Sequence, residues 1–241
     1  MRLDLRVAQQ FHKSRSASAD FIKRGLVLVN GKINIKPAYE VIEDDDITLT
    51  LEKTYVSRGG EKLASLLPFC PFSVVGLHAI DVGSSTGGFS ECLLDFGVES
   101  LVCVDVGVHQ LHESLRDHPK ITLYEGVSIL DLHQFVDKTF DLLVMDVSFT
   151  SILHVFDALD RFVHHQAWLI LLYKPQFEVG AKFLNKSGIV KNPRQGKQVQ
   201  DHIIEVIKTK GFRFVLAKDS MIKGKDGNQE TFLVFQKVEG V

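Results

Sequence analysis

Three charged residues stand at the ends of predicted strands, where their side chains could manage a proton. Asp146 and Lys174 each follow an apolar run, and Glu230 precedes the last apolar run. A carboxylate and an ammonium at neighbouring strand ends suit activation of a hydroxyl nucleophile. Each residue alone is more typical of a solvated strand end. A lysine near carboxylates ordinarily stays charged, so acting as a base requires burial or another cation nearby.

A glycine-rich loop, Asp81-Val82-Gly83-Ser84-Ser85-Thr86-Gly87-Gly88-Phe89, follows an earlier predicted strand. Glycines let the backbone approach a ligand closely, and a following helix favours negative charge. A Walker loop is excluded because Phe89 stands at its lysine position. A dinucleotide fingerprint is excluded because Ser85 replaces its second glycine. A nucleoside without pyrophosphate fits better, and Asp105 could accept hydrogen bonds from ribose hydroxyls. An ordinary strand–turn–helix remains the alternative.

The elements that must position these residues alternate along the chain. Strands are predicted over 78–82, 101–104, 121–124, 140–145, 168–173, 212–217 and 232–236, with helices over 89–96, 153–162 and 198–209. This alternation predicts a doubly wound α/β sheet. Ligands of such sheets bind beyond the carboxyl ends of the strands, which is where the charged residues fall.

The first fifty residues have a different organisation. Two short helices are predicted, the second capped by Ser14 or Ser16 and ended by Gly25. A hairpin follows with its turn at Asn30-Gly31, and 47–51 adds a further strand. Residues 1–36 carry eight lysines and arginines against two aspartates, a net charge of +6, whereas 40–46 is acidic. The whole-chain net charge of −2 conceals this basic segment.

Residues 1–52 resemble the RNA-binding module of ribosomal protein S4. The likeness rests on the Ser-Arg-Ser helix start, the Lys-Arg-Gly exit and the Val-Asn-Gly-Lys hairpin at 29–32. It implies a basic face against an RNA backbone. A second basic stretch, over 182–197, is as well explained by a mobile solvated loop as by RNA contact. The predicted RNA-binding residues are Arg2, Arg15, Lys23, Arg24, Lys32, Lys191 and Arg194.

Over nearly the full length, four motifs in order resemble the TlyA family of FtsJ-like ribose methyltransferases. They are VSRGGEKL at 56–63, DVGSSTGGF at 81–89, DVSF at 146–149 and KPQFEVG at 174–180. The resemblance implies a Rossmann-like methyltransferase sheet behind a small α+β RNA-binding domain. It also implies S-adenosylmethionine as methyl donor and 2'-O-methylation of cytidine in 23S ribosomal RNA, with 16S RNA as a further substrate of longer members. The catalytic tetrad of the family falls on Lys62, Asp146, Lys174 and Glu230.

By the same resemblance, the donor pocket involves Asp81, Gly83, Ser85, Thr86, Gly87 and Asp105. This chain has Ser84 where the family often has alanine, and the usual motif after the third strand is indistinct at 125–128. The implied domains are 1–52 for RNA binding, 53–57 as a linker and 58–241 for methyl transfer. A start at Met1 with no extension before it favours the large-subunit-only type.

Composition bounds the remaining possibilities. The chain has 241 residues, of which 45 % are hydrophobic, so it is not intrinsically disordered. Its three cysteines lack metal-ligand spacing, which predicts no metal and fits a reducing cytoplasm. No apolar run approaches the roughly 20 residues that span a bilayer. Two other functions stay open: a non-catalytic RNA-binding or ribosome-assembly factor, and a membrane-lytic protein, because hemolysin names attach to the family.

Overall fold

The computed structural model describes residues 1–11, 13–23, 25–49 and 55–238. The chain divides into two compact units, Met1–Ser57 and Arg58–Val241. Three predictions involve residues outside the described ones: residues 50–51 of the strand predicted over 47–51, residues 53–54 of the predicted linker, and the predicted RNA-binding residue Arg24.

The first unit packs two helices against a small antiparallel sheet. Its elements are α1 (Leu3–Gln10), α2 (Arg15–Lys23), β1 (Val27–Val29), β2 (Lys32–Ile33) and β3 (Ile47–Leu49). The strand order is β2-β1-β3. Apolar residues spaced along one face of each helix bury themselves against the strands. The buried core consists of Leu3, Val7, Phe21, Ile22, Val27, Val29, Val41 and Ile47.

The capping residues of α2 act as its sequence predicts. Ser14 Oγ accepts a hydrogen bond from the Ala17 amide at 3.2 Å, which satisfies a donor of the first turn. Gly25 lies beyond the helix end at φ +74°, a conformation that favours glycine, and its amide donates to Ile22. Between Ser14 and Ser16, the structure therefore selects Ser14.

The second unit is built on a seven-stranded sheet. Its strands are β4 (His78–Val82), β5 (Ser100–Asp105), β6 (Ile121–Glu125), β7 (Phe140–Met145), β8 (Val163–Tyr173), β9 (Phe212–Asp219) and β10 (Thr231–Lys237). Its helices are α3 (Arg58–Leu66), α4 (Gly88–Asp95), α5 (Glu113–Arg116), α6 (Ile152–Asp160), α7 (Pro175–Glu178) and α8 (Pro193–Thr209).

The strand order is β6-β5-β4-β7-β8-β10-β9. The first five strands in this order are parallel to their neighbours, and β10 pairs antiparallel with both β8 and β9. Almost every residue of β7 and the second half of β8 is buried, because helices cover both faces of such a sheet. The predicted α/β fold class is confirmed.

Two elements begin earlier than the sequence predicts. Strand β8 starts at Val163, so His164 and His165 lie in its exposed first half, and only the apolar second half was predicted. Helix α8 starts at Pro193 with Asn192 as its cap. Arg194 and Lys197 are consequently helical, whereas the sequence placed them in a loop. Both elements begin with polar residues, so the spacing of apolar residues did not reveal where they start.

Candidate active site

A cavity of about 530 Å³ lies at the carboxyl ends of the parallel strands. The segments that follow β4, β5, β6 and β7 form its walls. Its polar lining includes Ser85, Asp105, Gln110, Ser128 and Asp146. Its apolar lining includes Val82, Val104, Val106, Val127, Ile129 and Leu130. The mixture of apolar walls with a few polar groups is typical of a small-molecule site.

Gly83 brings the loops after β4 and β7 into close approach. It has φ +80°, and a Cβ built on it would lie 2.6 Å from the Asp146 backbone oxygen. Any side chain here would therefore displace one loop or the other. The glycine-rich loop and the aspartate at the end of β7 form one wall because this position is glycine.

Asp105 is held in a fixed orientation at the end of β5. Its Oδ2 accepts from the Ser85 amide at 2.8 Å and its Oδ1 accepts from the Gly107 amide at 2.7 Å. Each carboxylate oxygen retains a further lone pair. The carboxylate lines the cavity, so it can accept hydrogen bonds from hydroxyl groups of a bound nucleoside.

Glu125, at the end of β6, fixes another part of the wall and was missed from the sequence. Its carboxylate accepts from the amides of His109, Gln110 and Leu111 and pairs with Arg116 at 2.8 Å. Burial opposes ionisation, but these donors outweigh it and lower the pKa of Glu125 to about 2. An acidic residue directly ending a strand was the available signal.

Asp81 lies behind the cavity, within β4. Its side chain is fully buried, and the Ser90 hydroxyl donates to it at 2.6 Å. Burial, with smaller contributions from neighbouring carboxylates, raises the pKa of Asp81 to about 7. Of the six residues predicted for the donor pocket, Gly83, Ser85 and Asp105 line the cavity. Asp81, Thr86 and Gly87 do not.

The first of two lysine–carboxylate pairs lies at the mouth of this cavity. Lys174 Nζ is 2.5 Å from Asp146 Oδ1 and donates to Ser148 Oγ at 3.0 Å. Lys174 is extended at φ −119° immediately before α7, as its position before Pro175 predicts. The parallel pairing of β7 with β8 places the two strand ends side by side, so the ammonium and the carboxylate meet.

The second pair joins Lys62 on α3 to Glu230 before β10. Lys62 Nζ donates to Glu230 Oε2 at 2.5 Å, and both side chains are less than a tenth exposed. Thr231 pairs with Tyr173 across β10 and β8, so Glu230 and Lys174 are the next residues at the same edge of the sheet. The structure thus brings the four predicted catalytic residues into two ion pairs.

Further contacts brace the segment after β7 against the segment after β8. Glu178 accepts from the Ser151 hydroxyl at 2.7 Å and from the Ile152 amide at 2.8 Å, which caps α6. Burial raises the pKa of Glu178. The rings of Phe149 and Phe177 lie 5.0 Å apart. Phe149 has φ +64° and is 90 % exposed, a conformation unusual for a bulky side chain.

In the first unit, Asp4 engages two of the predicted RNA-binding residues. Arg2 makes two hydrogen bonds to the buried Asp4 carboxylate, and Arg15 Nε adds a third at 3.1 Å. The Arg2 hydrogen bond is the main cause that lowers the pKa of Asp4 to about 2, against the opposing effect of burial. Both guanidinium groups remain partly exposed, and Lys23 and Lys32 are exposed.

The basic stretch over 182–197 is an ordered turn followed by the start of α8. Leu184 bridges to Val190, and the buried Asn228 bonds Gly188 at 2.9 Å and Val190 at 3.1 Å. The predicted RNA-binding residues Lys191 and Arg194 are exposed on this structure. Asn228 therefore ties the basic stretch to the turn that leads into Glu230.

The described part of the chain has neither a metal-binding cluster nor a membrane-spanning helix. No cluster of three or more histidine, cysteine, aspartate or glutamate side chains within it could hold a metal ion. Within the same residues, no helix is both long enough and apolar enough to cross a membrane.

Comparison with known proteins gives matches to both units. The sequence model of FtsJ-like methyltransferases matches residues 55–237, and that of the S4 domain matches residues 1–47. The chain is 35 % identical over 224 residues to the 16S/23S rRNA (cytidine-2'-O)-methyltransferase TlyA of Mycobacterium tuberculosis, covering 92 % of this chain and 84 % of that one.

Two further proteins match over most of their length. The 23S rRNA (cytidine-2'-O)-methyltransferase TlyA of Campylobacter jejuni is 33 % identical over 258 residues, covering 98 % of this chain and all of that one. A solved structure described as a hemolysin from Streptococcus thermophilus has a TM-score of 0.77 at 29 % identity, covering 100 % of this chain and 89 % of that one.

Proposed function

The chain belongs to the FtsJ-like methyltransferase family, and we propose that it methylates the 2'-hydroxyl of a cytidine in ribosomal RNA, with S-adenosylmethionine as the methyl donor. One observation carries the proposal. Asp146 lines the cavity at the carboxyl edge of the sheet, and the same carboxylate holds the ammonium of Lys174. A donor site and a group that can orient a hydroxyl therefore share one residue.

The lining of the cavity fits the donor. Asp105 offers carboxylate oxygens to ribose hydroxyls, and the apolar side chains of Val106 and Ile129 offer a surface for a purine. Gly83 lets the loop after β4 pack against the Asp146 backbone, which keeps Asp146 in the same wall. When bound, S-adenosylmethionine supplies a methyl carbon that is open to attack by an oxygen nucleophile.

Lys174 and Asp146 orient the hydroxyl. An ammonium group has three N–H donors; one bonds Ser148, and the group also forms an ion pair with Asp146. Another of its N–H groups can donate to the ribose oxygen and hold it in place. The Asp146 carboxylate can accept the hydrogen of that hydroxyl and so direct an oxygen lone pair towards the cavity. Much of the rate gain then comes from positioning two reactants.

The first unit supplies RNA affinity in this proposal. Its match to the S4 domain and the exposed lysines on α2 and β2 support contact with RNA phosphates. Such contacts give affinity without reading the bases. The TlyA relatives share 23S ribosomal RNA as a named substrate, so we take large-subunit RNA as the substrate and the cytoplasm as the location.

The test is to map ribose methylation in ribosomal RNA from cells with and without this protein. Purified protein with labelled S-adenosylmethionine should restore the missing methyl group, either on intact ribosomal subunits or on protein-free ribosomal RNA. We expect a 2'-O-methylcytidine that depends on the protein. Identical methylation maps, together with no transfer to either RNA preparation, would refute the proposal.

A further inference from the structure

A second cavity, of about 330 Å³, lies at the ends of β8 and β10. It shares no lining residue with the first cavity. Tyr173 and Thr231 contribute to its wall, and they are the neighbours in sequence of Lys174 and Glu230. Pro175, Ile189, Val190 and Pro193 provide apolar surface, and Lys197 and Gln200 provide polar groups from α8.

The order of the strands places this cavity on the far side of the first ion pair. Along the sheet, β5, β4 and β7 carry the loops around the donor cavity, then β8 leads to Lys174, and β10 follows. A ribose hydroxyl at Lys174 has the donor on the β7 side. Along the sheet, the second cavity lies on the side of Lys174 away from the donor cavity, where the rest of an RNA strand can extend.

Gln200 contributes to the second cavity an amide group that makes no hydrogen bond to the described residues. Its side chain is 6 % exposed and lines the cavity. Within the described residues, its amide has no hydrogen-bond partner. Because the unpartnered amide atoms keep accessible surface, they can hydrogen-bond a ligand that replaces water in the cavity. The amide offers a donor and an acceptor side by side, the arrangement that pairs with the edge of a nucleobase.

The interior of this cavity and its surroundings differ in charge. Asp219 is part of the wall, and its carboxylate accepts from the Thr231 hydroxyl at 2.8 Å, which disfavours an anionic group inside. Exposed cations lie close to the lining residues in sequence: Lys186, Lys191 and Arg194. Lys197, which lines the cavity, is exposed and pairs with Asp201 at 2.9 Å. A neutral ring fits the interior, while phosphates on either side of it fit these cations.

We propose that this cavity receives a nucleobase that flanks the methylated nucleotide, and that the Gln200 amide hydrogen-bonds the edge of this base. The inference rests on the proposed function and deepens it by naming a second point of RNA recognition. Asn228 keeps the wall preformed by bonding Gly188 and Val190. Single-stranded RNA is commonly recognised in this way, with bases turned out of the stack into pockets.

The first test replaces Gln200→Leu and measures steady-state methylation of the RNA preparation that the wild-type protein methylates. We expect the KM for RNA to rise about tenfold, because a buried amide–base pair is lost. The kcat and the affinity for S-adenosylmethionine should stay near wild type. Gln198→Leu, at an exposed position of the same helix, is the matched control and should leave KM unchanged.

A benzophenone photocrosslinker at position 197 gives an independent readout. It should crosslink to RNA within about two nucleotides of the methylated cytidine, since adjacent nucleotides occupy adjacent sites. The same group at position 208, near the other end of α8, should give no such crosslink.

The outcomes separate this inference from the proposed function. A wild-type protein that methylates neither RNA preparation refutes the proposed function. Normal wild-type methylation, with an unchanged KM in the Gln200→Leu variant, overturns only the inference. So does a loss of folded protein or of kcat at unchanged KM, because that result assigns Gln200 a structural role. Crosslinks from position 197 that lie far from the methylated cytidine also overturn it.

Discussion

The two lysine–carboxylate ion pairs of the second unit differ in solvent exposure and in their contact with the donor cavity. In Lys174–Asp146 the side chains are 12 % and 21 % exposed, and the carboxylate lines the donor cavity. In Lys62–Glu230 the side chains are 8 % and 4 % exposed, and neither lines that cavity. An ion pair at a cavity mouth can exchange a partner for a substrate. A buried ion pair can only hold its two elements together.

The buried pair, Lys62–Glu230, joins two residues that are far apart in sequence. Lys62 and Glu230 are 168 residues apart and connect α3 to the start of β10. Gly224 allows this turn to approach closely, since a Cβ there would lie 2.6 Å from Glu230 Oε1. The pair thereby positions the edge of the sheet that carries Lys174. We therefore expect the Lys174–Asp146 pair to contact the substrate and the Lys62–Glu230 pair to position the edge of the sheet. Substitutions in and around the two pairs test this assignment.

Replacing Lys174→Ala should have the largest effect. We expect methyl transfer to fall about 10³-fold, because the group that orients the hydroxyl is lost. Affinity for S-adenosylmethionine should stay near wild type, since Lys174 does not line the donor cavity. Calorimetry and a methylation assay measure the two quantities. Lys208→Ala, at an exposed position near the end of α8, is the control, and near-normal turnover of the Lys174 variant would contradict the assignment.

Replacing Glu230→Gln should instead act on stability. It leaves the Lys62 ammonium buried without a charged partner, and breaking such a pair costs about 3–5 kcal/mol. Urea unfolding measures this loss. The double replacement Lys62→Met with Glu230→Leu should recover most of the stability but not the turnover. Full recovery of turnover would show that the pair has no positioning role.

Asp81 is a buried carboxyl group whose hydrogen bond comes from the Ser90 hydroxyl rather than from a lysine. Its pKa is raised from 3.8 to about 7, so the folded protein retains a proton that the unfolded chain releases in this range. The free energy of unfolding should therefore fall by a few kcal/mol as the pH rises from about 4 to 7 and level off above. The Asp81→Asn variant should lack this contribution. Parallel stability curves for the two proteins would contradict the expectation.

Asp4 is a buried carboxylate whose partners, Arg2 and Arg15, are partly exposed, unlike the enclosed Lys62–Glu230 pair. Its pKa is lowered to about 2, so its contribution to stability is present above pH 4 and is lost as the pH falls through 2. Asp4→Asn should destabilise the first unit by about 1 kcal/mol, because Arg2 and Arg15 can turn to water. Hydrogen exchange of the α1 and α2 amides measures this. A loss as large as that of Glu230→Gln would contradict the expectation that partly exposed partners make the loss smaller.

The smallest effect is expected from lysines outside both pairs. Lys23→Gln and Lys32→Gln should each weaken RNA binding a few-fold and reduce the slope of log affinity against log salt by roughly 0.7–0.9. Both residues are exposed, so stability should not change. Filter binding at several salt concentrations measures the slope. An unchanged slope in both variants would argue against phosphate contact by this face.

The sequence predicted the site best where the relevant geometry is local. The strand ends of β7 and β8 were visible as apolar runs, and parallel pairing then required Asp146 and Lys174 to be neighbours. Glu125 and Glu178 were missed because their roles depend on amides from segments distant along the chain. Arg2 and Arg15 read as free cations, although a buried aspartate holds both.

The sequence by itself determined the order of elements, the glycine-rich loop and which residues stand at strand ends, since periodicity and turn chemistry act over a few residues. Only the tertiary structure decided that Lys62 reaches Glu230, that Asp81 is sealed behind the cavity and that Gln200 lines a second one. These facts depend on how α3, α4 and α8 pack on the sheet. Burial and ion pairing arise from that packing, which no local pattern encodes.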